Sequence, residues 1–188
     1  VVAAADGQVV DLAGRALLFI DTPGHANHHG CVWDERSRGF FTGDTFGISY
    51  REFDTAAGPF LFAPTTPVAF DPEAWLQSLD KLMGRAPQAM YLTHYCRVAH
   101  PERLVDDLRH SIRALADLAL AHEAGPEANR EARLRVAIGD LLAADVRAHG
   151  CRLDEARVRE LLAVDTQLNA QGLAVWLRRP ARRTAAPG

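Results

Sequence analysis

The sequence has few of the features that mark membrane, secreted or nucleic-acid-binding proteins. No apolar run approaches the roughly 20 residues that a membrane-spanning helix needs. The three cysteines are widely spaced and odd in number, which does not suit a disulfide framework and favours a reducing cytoplasm. The formal net charge is −3, so no basic field favours nucleic acid. We therefore expect a cytoplasmic protein that binds a small-molecule substrate and has no nucleic-acid or membrane partner.

The composition is that of a globular protein, with 48% hydrophobic and 24% charged residues. Residues 1–100 and 101–179 carry different patterns, and an Arg- and Ala-rich tail follows over 180–188. The first region contains short apolar runs separated by turn residues, which predict two hairpins. Their strands are expected over 8–12, 15–20, 30–34 and 39–42. A long irregular stretch over 47–70, rich in proline and aromatic residues, is typical of a functional loop.

Helices dominate the remainder of the chain. Asp71 is a suitable N-cap before Pro72, which predicts a helix that ends at Gly84 and is followed by a strand over 89–93. From 101 onward, apolar residues at 3.6-residue spacing predict three amphipathic helices, separated near 125 and 150. The third is expected from 153 to about 176. Its apolar face and those of its neighbours require a partner, either the first region or a second copy in a homodimer.

Three segments end a strand with a side chain that can bind a metal. They are Thr22-Pro23-Gly24-His25, Phe41-Thr42-Gly43-Asp44-Thr45 and Tyr91-Leu92-Thr93-His94. Imidazole and carboxylate ligands together suit Zn²⁺, Mn²⁺ or Fe²⁺. Each segment alone also has a structural explanation, because Gly-Asp is a common turn and a single His after a strand is often solvated or buried in a core.

In this order, the three segments resemble the second half of the metallo-β-lactamase superfamily. A Pro-Gly-His turn, a Gly-Asp after the next hairpin and a later His at a strand end are its hallmarks, and the Thr-Gly-Asp-Thr-Phe stretch is similar to the glyoxalase II-like branch. The resemblance implies an α/β fold: residues 1–100 form the second half of a four-layer αββα sandwich, and a helical C-terminal region follows. It also implies that His25, Asp44 and His94 are metal ligands.

The implied activity is hydrolysis by a metal-bridging hydroxide, with Asp44 bridging two metal ions. We expect Zn²⁺, with Fe or Mn as alternatives. Antibiotic-hydrolysing zinc lactamases commonly have Cys in place of this carboxylate. Asp44 therefore favours an ester, thioester, lactone or phosphodiester substrate over a β-lactam.

The superfamily's first metal motif, His-x-His-x-Asp-His, is absent from the sequence. The chain also begins without Met, and residues 1–5 lack the basic segment of a signal peptide. We expect a truncated chain that lacks the N-terminal half of the hydrolase domain and half of the metal site, and is inactive alone. The alternative is a non-catalytic relic of the fold whose helical tail mediates assembly.

Further residues are candidates for supporting a ligand or contacting substrate. Asp21 either orients the ring of His25 or caps the turn. His29 either contacts substrate or a ligand, or supports its hairpin. Tyr50, with Phe60 and Phe62, either walls a substrate pocket or anchors the long loop on the core.

Overall fold

The computed structural model describes residues 4–65, 69–94 and 96–179. The predicted tail over 180–188 lies outside these ranges. A six-stranded sheet is formed in chain order, and neighbouring strands are antiparallel except for the parallel pair β4 and β5. Its strands are β1 (Val9–Asp11), β2 (Ala16–Asp21), β3 (Gly30–Asp34), β4 (Gly39–Gly43), β5 (Ala89–Leu92) and β6 (Cys96–Ala99).

Five α-helices accompany the sheet: α1 (Pro72–Met83), α2 (Pro101–Ala121), α3 (Arg130–Ala148), α4 (Glu155–Leu161) and α5 (Ala163–Leu177). Short 3₁₀ turns occupy Arg51–Phe53 and Glu127–Asn129. Within the described ranges, no helix is both long and apolar enough to cross a membrane. A sheet followed by a helical region confirms the predicted α/β fold class, and the arrangement is consistent with half of the expected sandwich.

Helix α1 connects the two parallel strands and begins as the sequence predicts. The Asp71 side chain accepts a hydrogen bond from the backbone N–H of Ala74 at 3.1 Å, and Pro72 occupies the first helical position. Trp75, Leu79 and Leu82 lie on its buried face. The helix is therefore both capped at its start and fixed to the sheet by its apolar side.

The two faces of the sheet have different surroundings. Cross-strand pairing places Trp33, Phe40, Met90 and Val98 on one face, the inner face, and all four are buried in the core shared with α1 and α2. The opposite, outer face carries a second apolar row, formed by Phe19, Val32, Phe41 and Tyr91. Its members are only partly buried, and Phe41 is 47% exposed.

The helical region buries most of its apolar residues within the chain. Helix α3 contributes Leu134, Ile138 and Leu142, which are fully buried in the same core as Leu173 of α5. Packing against the first region is therefore one partner for these faces. The homodimer stays a prediction.

Two predictions about regular structure were wrong. The expected third helix is divided at Leu162 into α4 and α5, while Gly172, the expected weak point, lies buried inside an unbroken α5. Apolar residues continue through the junction, so their spacing does not reveal it. The strand β6 was not predicted, since its four residues are too short for a clear alternation.

Candidate metal centre

The three predicted ligands follow strands that run in the same direction. Strands β2 and β4 are both antiparallel to β3, and β5 is parallel to β4, so the carboxyl ends of all three meet at one edge of the sheet. There, Asp44 lies between two histidines. Its Oδ1 is 2.8 Å from His94 Nδ1 and its Oδ2 is 3.6 Å from His25 Nε2. The structure thus brings together three side chains that are far apart in sequence.

The ring of His25 is fixed in one orientation. Its Nδ1 lies 2.8 Å from the carbonyl oxygen of Pro64, and because a carbonyl only accepts, Nδ1 carries the proton. Burial lowers the pKa of His25, with opposing contributions from the Pro64 carbonyl and Asp44, so its ring is predominantly neutral at neutral pH. The lone pair of Nε2 therefore faces the carboxylate of Asp44.

Two acceptors that face one another without a proton between them suit a cation. An imidazole nitrogen and a carboxylate oxygen are ligands of zinc, manganese and iron. Two ligands of one tetrahedral zinc ion are about 3.4 Å apart, which is close to the 3.6 Å between His25 Nε2 and Asp44 Oδ2. The donor set of this pair therefore fits a metal ion.

His94 contacts Asp44 differently. Its Nδ1 donates a hydrogen bond to the carboxylate, which leaves Nε2 as the available acceptor of a side chain that is 47% exposed. Across residues 4–65, 69–94 and 96–179, no three His, Cys, Asp or Glu side chains are arranged as a group that holds a metal ion. The roles of the three residues as ligands remain predictions.

Close packing fixes the loop that carries His25. Gly24 has φ of +131°, and a Cβ there would lie 2.3 Å from the backbone of Trp75. The carbonyl oxygens of Gly24 and Pro23 accept hydrogen bonds from Asp71 N–H at 2.8 Å and from the Ser78 hydroxyl at 2.7 Å. Glycine is required at this position because helix α1 approaches the loop directly.

His29 supports the loop that carries Asp44. Its Nε2 accepts a hydrogen bond from the backbone N–H of Asp44 at 3.2 Å, so its proton is on Nδ1 and is donated to the Thr45 hydroxyl at 2.9 Å. The ring fills the space beside Gly43, where a Cβ would approach it to 2.5 Å. His29 thus has the supporting role that was one of its two predicted roles.

Comparison with known proteins decides the family. The model of the metallo-beta-lactamase superfamily matches residues 2–94, which include all three predicted ligands. This chain belongs to the metallo-β-lactamase superfamily. It is 31% identical over 84 residues to the metallo-beta-lactamase fold-containing protein ST1585 of Sulfurisphaera tokodaii, an alignment that covers 45% of this chain and 28% of the relative.

A solved structure of a superfamily member extends the likeness to the helical region. The metallo-beta-lactamase family protein TTHA1429 from Thermus thermophilus aligns with 98% of this chain and 50% of its own, with a TM-score of 0.54 and 19% identity. At this identity, the likeness shows a shared fold. The chain spans about a quarter of the curated relative and half of this structure. The glyoxalase II-like branch stays a prediction.

The role predicted for Asp21 as the partner of His25 was wrong. Pro64 accepts the hydrogen bond from the His25 ring, while the Asp21 backbone carbonyl accepts one from Lys81 Nζ at 2.7 Å. Asp21 itself is exposed. The carbonyl of Pro64 left no signal in the sequence, because any residue supplies a carbonyl.

The aromatic residues of the long loop have separate roles. Phe60 and Phe62 are buried and anchor the loop on the core, whereas Tyr50 lines a cavity beside Asp44 and His94. On the far side of this cavity lie side chains of α5 that the sequence analysis did not single out, among them Asp165 and Asn169. Their i, i+4 spacing, in a helix that is otherwise largely apolar, is a signal that would have found them.

Proposed function

We propose that this chain contributes part of the metal centre of a hydrolase that acts on small ester, thioester or lactone substrates. The observation that supports this most directly is the lone pair of His25 Nε2, which faces the Asp44 carboxylate at 3.6 Å at an edge that also carries His94. The aspartate, where lactam-hydrolysing relatives commonly have cysteine, supports the choice of substrate class.

His25 and Asp44 would hold the metal through Nε2 and the carboxylate, and His94 would join them through its exposed ring. A bound zinc ion supplies a Lewis acid that polarises a carbonyl and lowers the pKa of water. The protein's own contribution is rigidity: Pro64 fixes the ring of His25, and His29 holds the backbone of Asp44. We propose Zn²⁺, with Fe or Mn as alternatives, and two ions in the intact protein.

The catalytic unit in this proposal is the intact protein. The 188 residues contain no His-x-His-x-Asp-His motif, and they span 28% of one relative and 50% of another. Alone, they offer ligands for one weakly bound ion. Hydrolysis therefore requires further ligands that this sequence does not provide.

Calorimetric titration of the 188-residue chain with Zn²⁺ tests the metal site. We expect one weak site that is lost in Asp44→Asn. The matched control is Asp21→Asn, which changes an exposed carboxylate near the same edge and should retain the site. Tight binding of two ions by this chain would contradict the half-site, and identical titrations of Asp44→Asn and the unchanged chain would remove Asp44 from it.

In the intact protein, Asp44→Ala should reduce hydrolysis of a lactone or thioester by several orders of magnitude while the circular dichroism spectrum is retained. Near-normal turnover would exclude Asp44 from the reaction. A metal-free intact protein that self-associates through its helices would instead favour the non-catalytic relic, and sedimentation velocity measures this association and the proposed homodimer.

A further inference from the structure

A cavity of about 240 Å³ lies between the metal-binding edge and the first two turns of α5. Asp44 and His94 line one side, and Val164, Asp165 and Leu168 line the other. Pockets for drug-sized ligands are larger, roughly 300–1,000 Å³. This space therefore fits a small substrate placed directly against the predicted ligands.

Asp165 is a buried acid in the wall of this cavity. It is 9% exposed and accepts a hydrogen bond from the Tyr50 hydroxyl at 2.6 Å. Among the described residues, it forms no ion pair with Arg, Lys or His, whereas the buried Asp34 is paired with Arg15. Burial raises the pKa of Asp165. Because a buried carboxylate without a cationic partner is costly, its position beside a cavity calls for a reason other than stability.

Asn169, one turn further along α5, fixes Asp165 relative to the metal-binding edge. Its Oδ1 accepts from the backbone N–H of Thr65 at 2.8 Å, and its Nδ2 donates to the carbonyl of Ala63 at 3.3 Å. Between these two residues lies Pro64, which holds the ring of His25. The acid on α5 and the imidazole at the sheet edge are thus attached to the same short segment.

We propose that Asp165, oriented by Tyr50, is the group that recognises substrate in this cavity. It accepts a hydrogen bond from an N–H or O–H of a small lactone or ester, whose apolar part lies on Ile48, Val164 and Leu168. No Arg or Lys is among the described residues that line the cavity, while two carboxylates are. Anionic substrates, phosphodiesters included, are therefore disfavoured.

This proposal rests on the proposed function, since it narrows the substrates of the same site. Binding and turnover separate the two. Three lactones serve as probes: α-acetylamino-γ-butyrolactone, which has an N–H donor, its α-acetoxy analogue, which lacks the donor but has nearly the same shape, and the anionic α-carboxylate. Their binding to the metal-free 188-residue chain is measured by NMR titration.

We expect the acetylamino lactone to bind roughly tenfold more tightly than the acetoxy lactone, and the carboxylate to bind most weakly, because a hydrogen bond to a charged acceptor is lost in one and repulsion is added in the other. Asp165→Asn should reduce the first preference several-fold and improve binding of the carboxylate. Tyr50→Phe, which leaves the carboxylate but removes its donor, should reduce the preference less.

The matched control is Asp140→Asn, which removes an exposed acid of α3 that pairs with Arg159 at 2.8 Å, away from the cavity. It should preserve the order of the three probes. Equal binding of the acetylamino and acetoxy lactones, tightest binding of the carboxylate, or the same order in Asp165→Asn would overturn the proposal. If the acetylamino lactone binds as expected but the zinc-loaded intact protein does not cleave it, the proposed function fails while the recognition role of Asp165 stands.

Discussion

The inner and outer faces of the sheet differ in what covers them, although both carry apolar rows. On the inner face, helices enclose Phe40 and its neighbours completely, whereas on the outer face Phe41 remains 47% exposed. Phe40 and Phe41 are adjacent in sequence and identical in type. The contrast shows that alternation alone makes both faces suitable for burial, and that the packing of helices decides which one forms the core of this chain.

The largest expected effect is that of Phe40→Ala. Removing a fully buried phenylalanine should lower the free energy of unfolding by about 3–5 kcal/mol, through lost burial and the cavity left behind. Urea denaturation of the 188-residue chain measures this. A loss below about 1 kcal/mol would show that the inner face is not the stabilising one.

A pair of glycine substitutions compares the side covered by α1 with an open turn. Gly24→Ala combines an unfavourable backbone angle with a collision against Trp75, and should cost about 3 kcal/mol. Gly14→Ala, in the open turn between β1 and β2, has φ of +80° but no atom within 4 Å, so it should cost about 1–2 kcal/mol. Thermal unfolding of both variants tests the difference, and equal losses would mean that α1 does not approach Gly24 closely.

The buried charge of the outer face gives a pH-dependent effect. Asp34 is fully buried there and hydrogen-bonded by Arg15 and Ser37, and the Arg15 guanidinium holds the pKa of this carboxyl well below its usual range. The depressed pKa means that the stabilisation is complete above the unfolded-state value, about 3.9, and is lost as the pH falls toward the folded-state value.

Arg15→Met isolates this contribution. The variant should be less stable than the unchanged chain at pH 6, and the difference between them should shrink as the pH falls below about 4. Urea denaturation midpoints at pH 6, 4 and 3 measure the difference. A constant difference across this range would exclude the ion pair as its source.

The smallest effect is expected for Phe41→Ala. Because this side chain is half exposed and its ring stacks on Tyr91 at 4.9 Å, the loss should stay below about 1 kcal/mol. Denaturation under the conditions used for Phe40→Ala gives the comparison directly. A loss as large as that of Phe40→Ala would show that something covers the outer face in solution.

Local signals in the sequence predicted the elements that depend on neighbouring residues. The cap of α1 at Asp71 and the ends of β2, β4 and β5 are encoded within a few residues, which is why His25, Asp44 and His94 were found. These three residues were recognised by their order along the chain, and the parallel strand ends explain why that order brings them together.

Contacts across long sequence separations could not be predicted in the same way. Asn169 bonds to Thr65 over 104 residues, and Tyr50 bonds to Asp165 over 115. Neither pair has a local periodicity, because a helix docks on a loop through a few polar atoms whose partners are set by the whole fold. The division of the last helix at Leu162 belongs to the same class, since it accompanies the docking of α5 on the loop.

The parallel pairing of β4 and β5 has a consequence for how such a protein can change. Asp44 and His94 are separated by 50 residues, yet their distance is set by the lateral spacing of two adjacent strands, about 4.8 Å. The intervening segment, which includes Tyr50 and Pro64, can therefore lengthen, shorten or exchange residues at the cavity wall while the spacing of Asp44 and His94 is preserved. Substrate preference and reaction chemistry are inherited on different parts of the chain and are free to diverge independently.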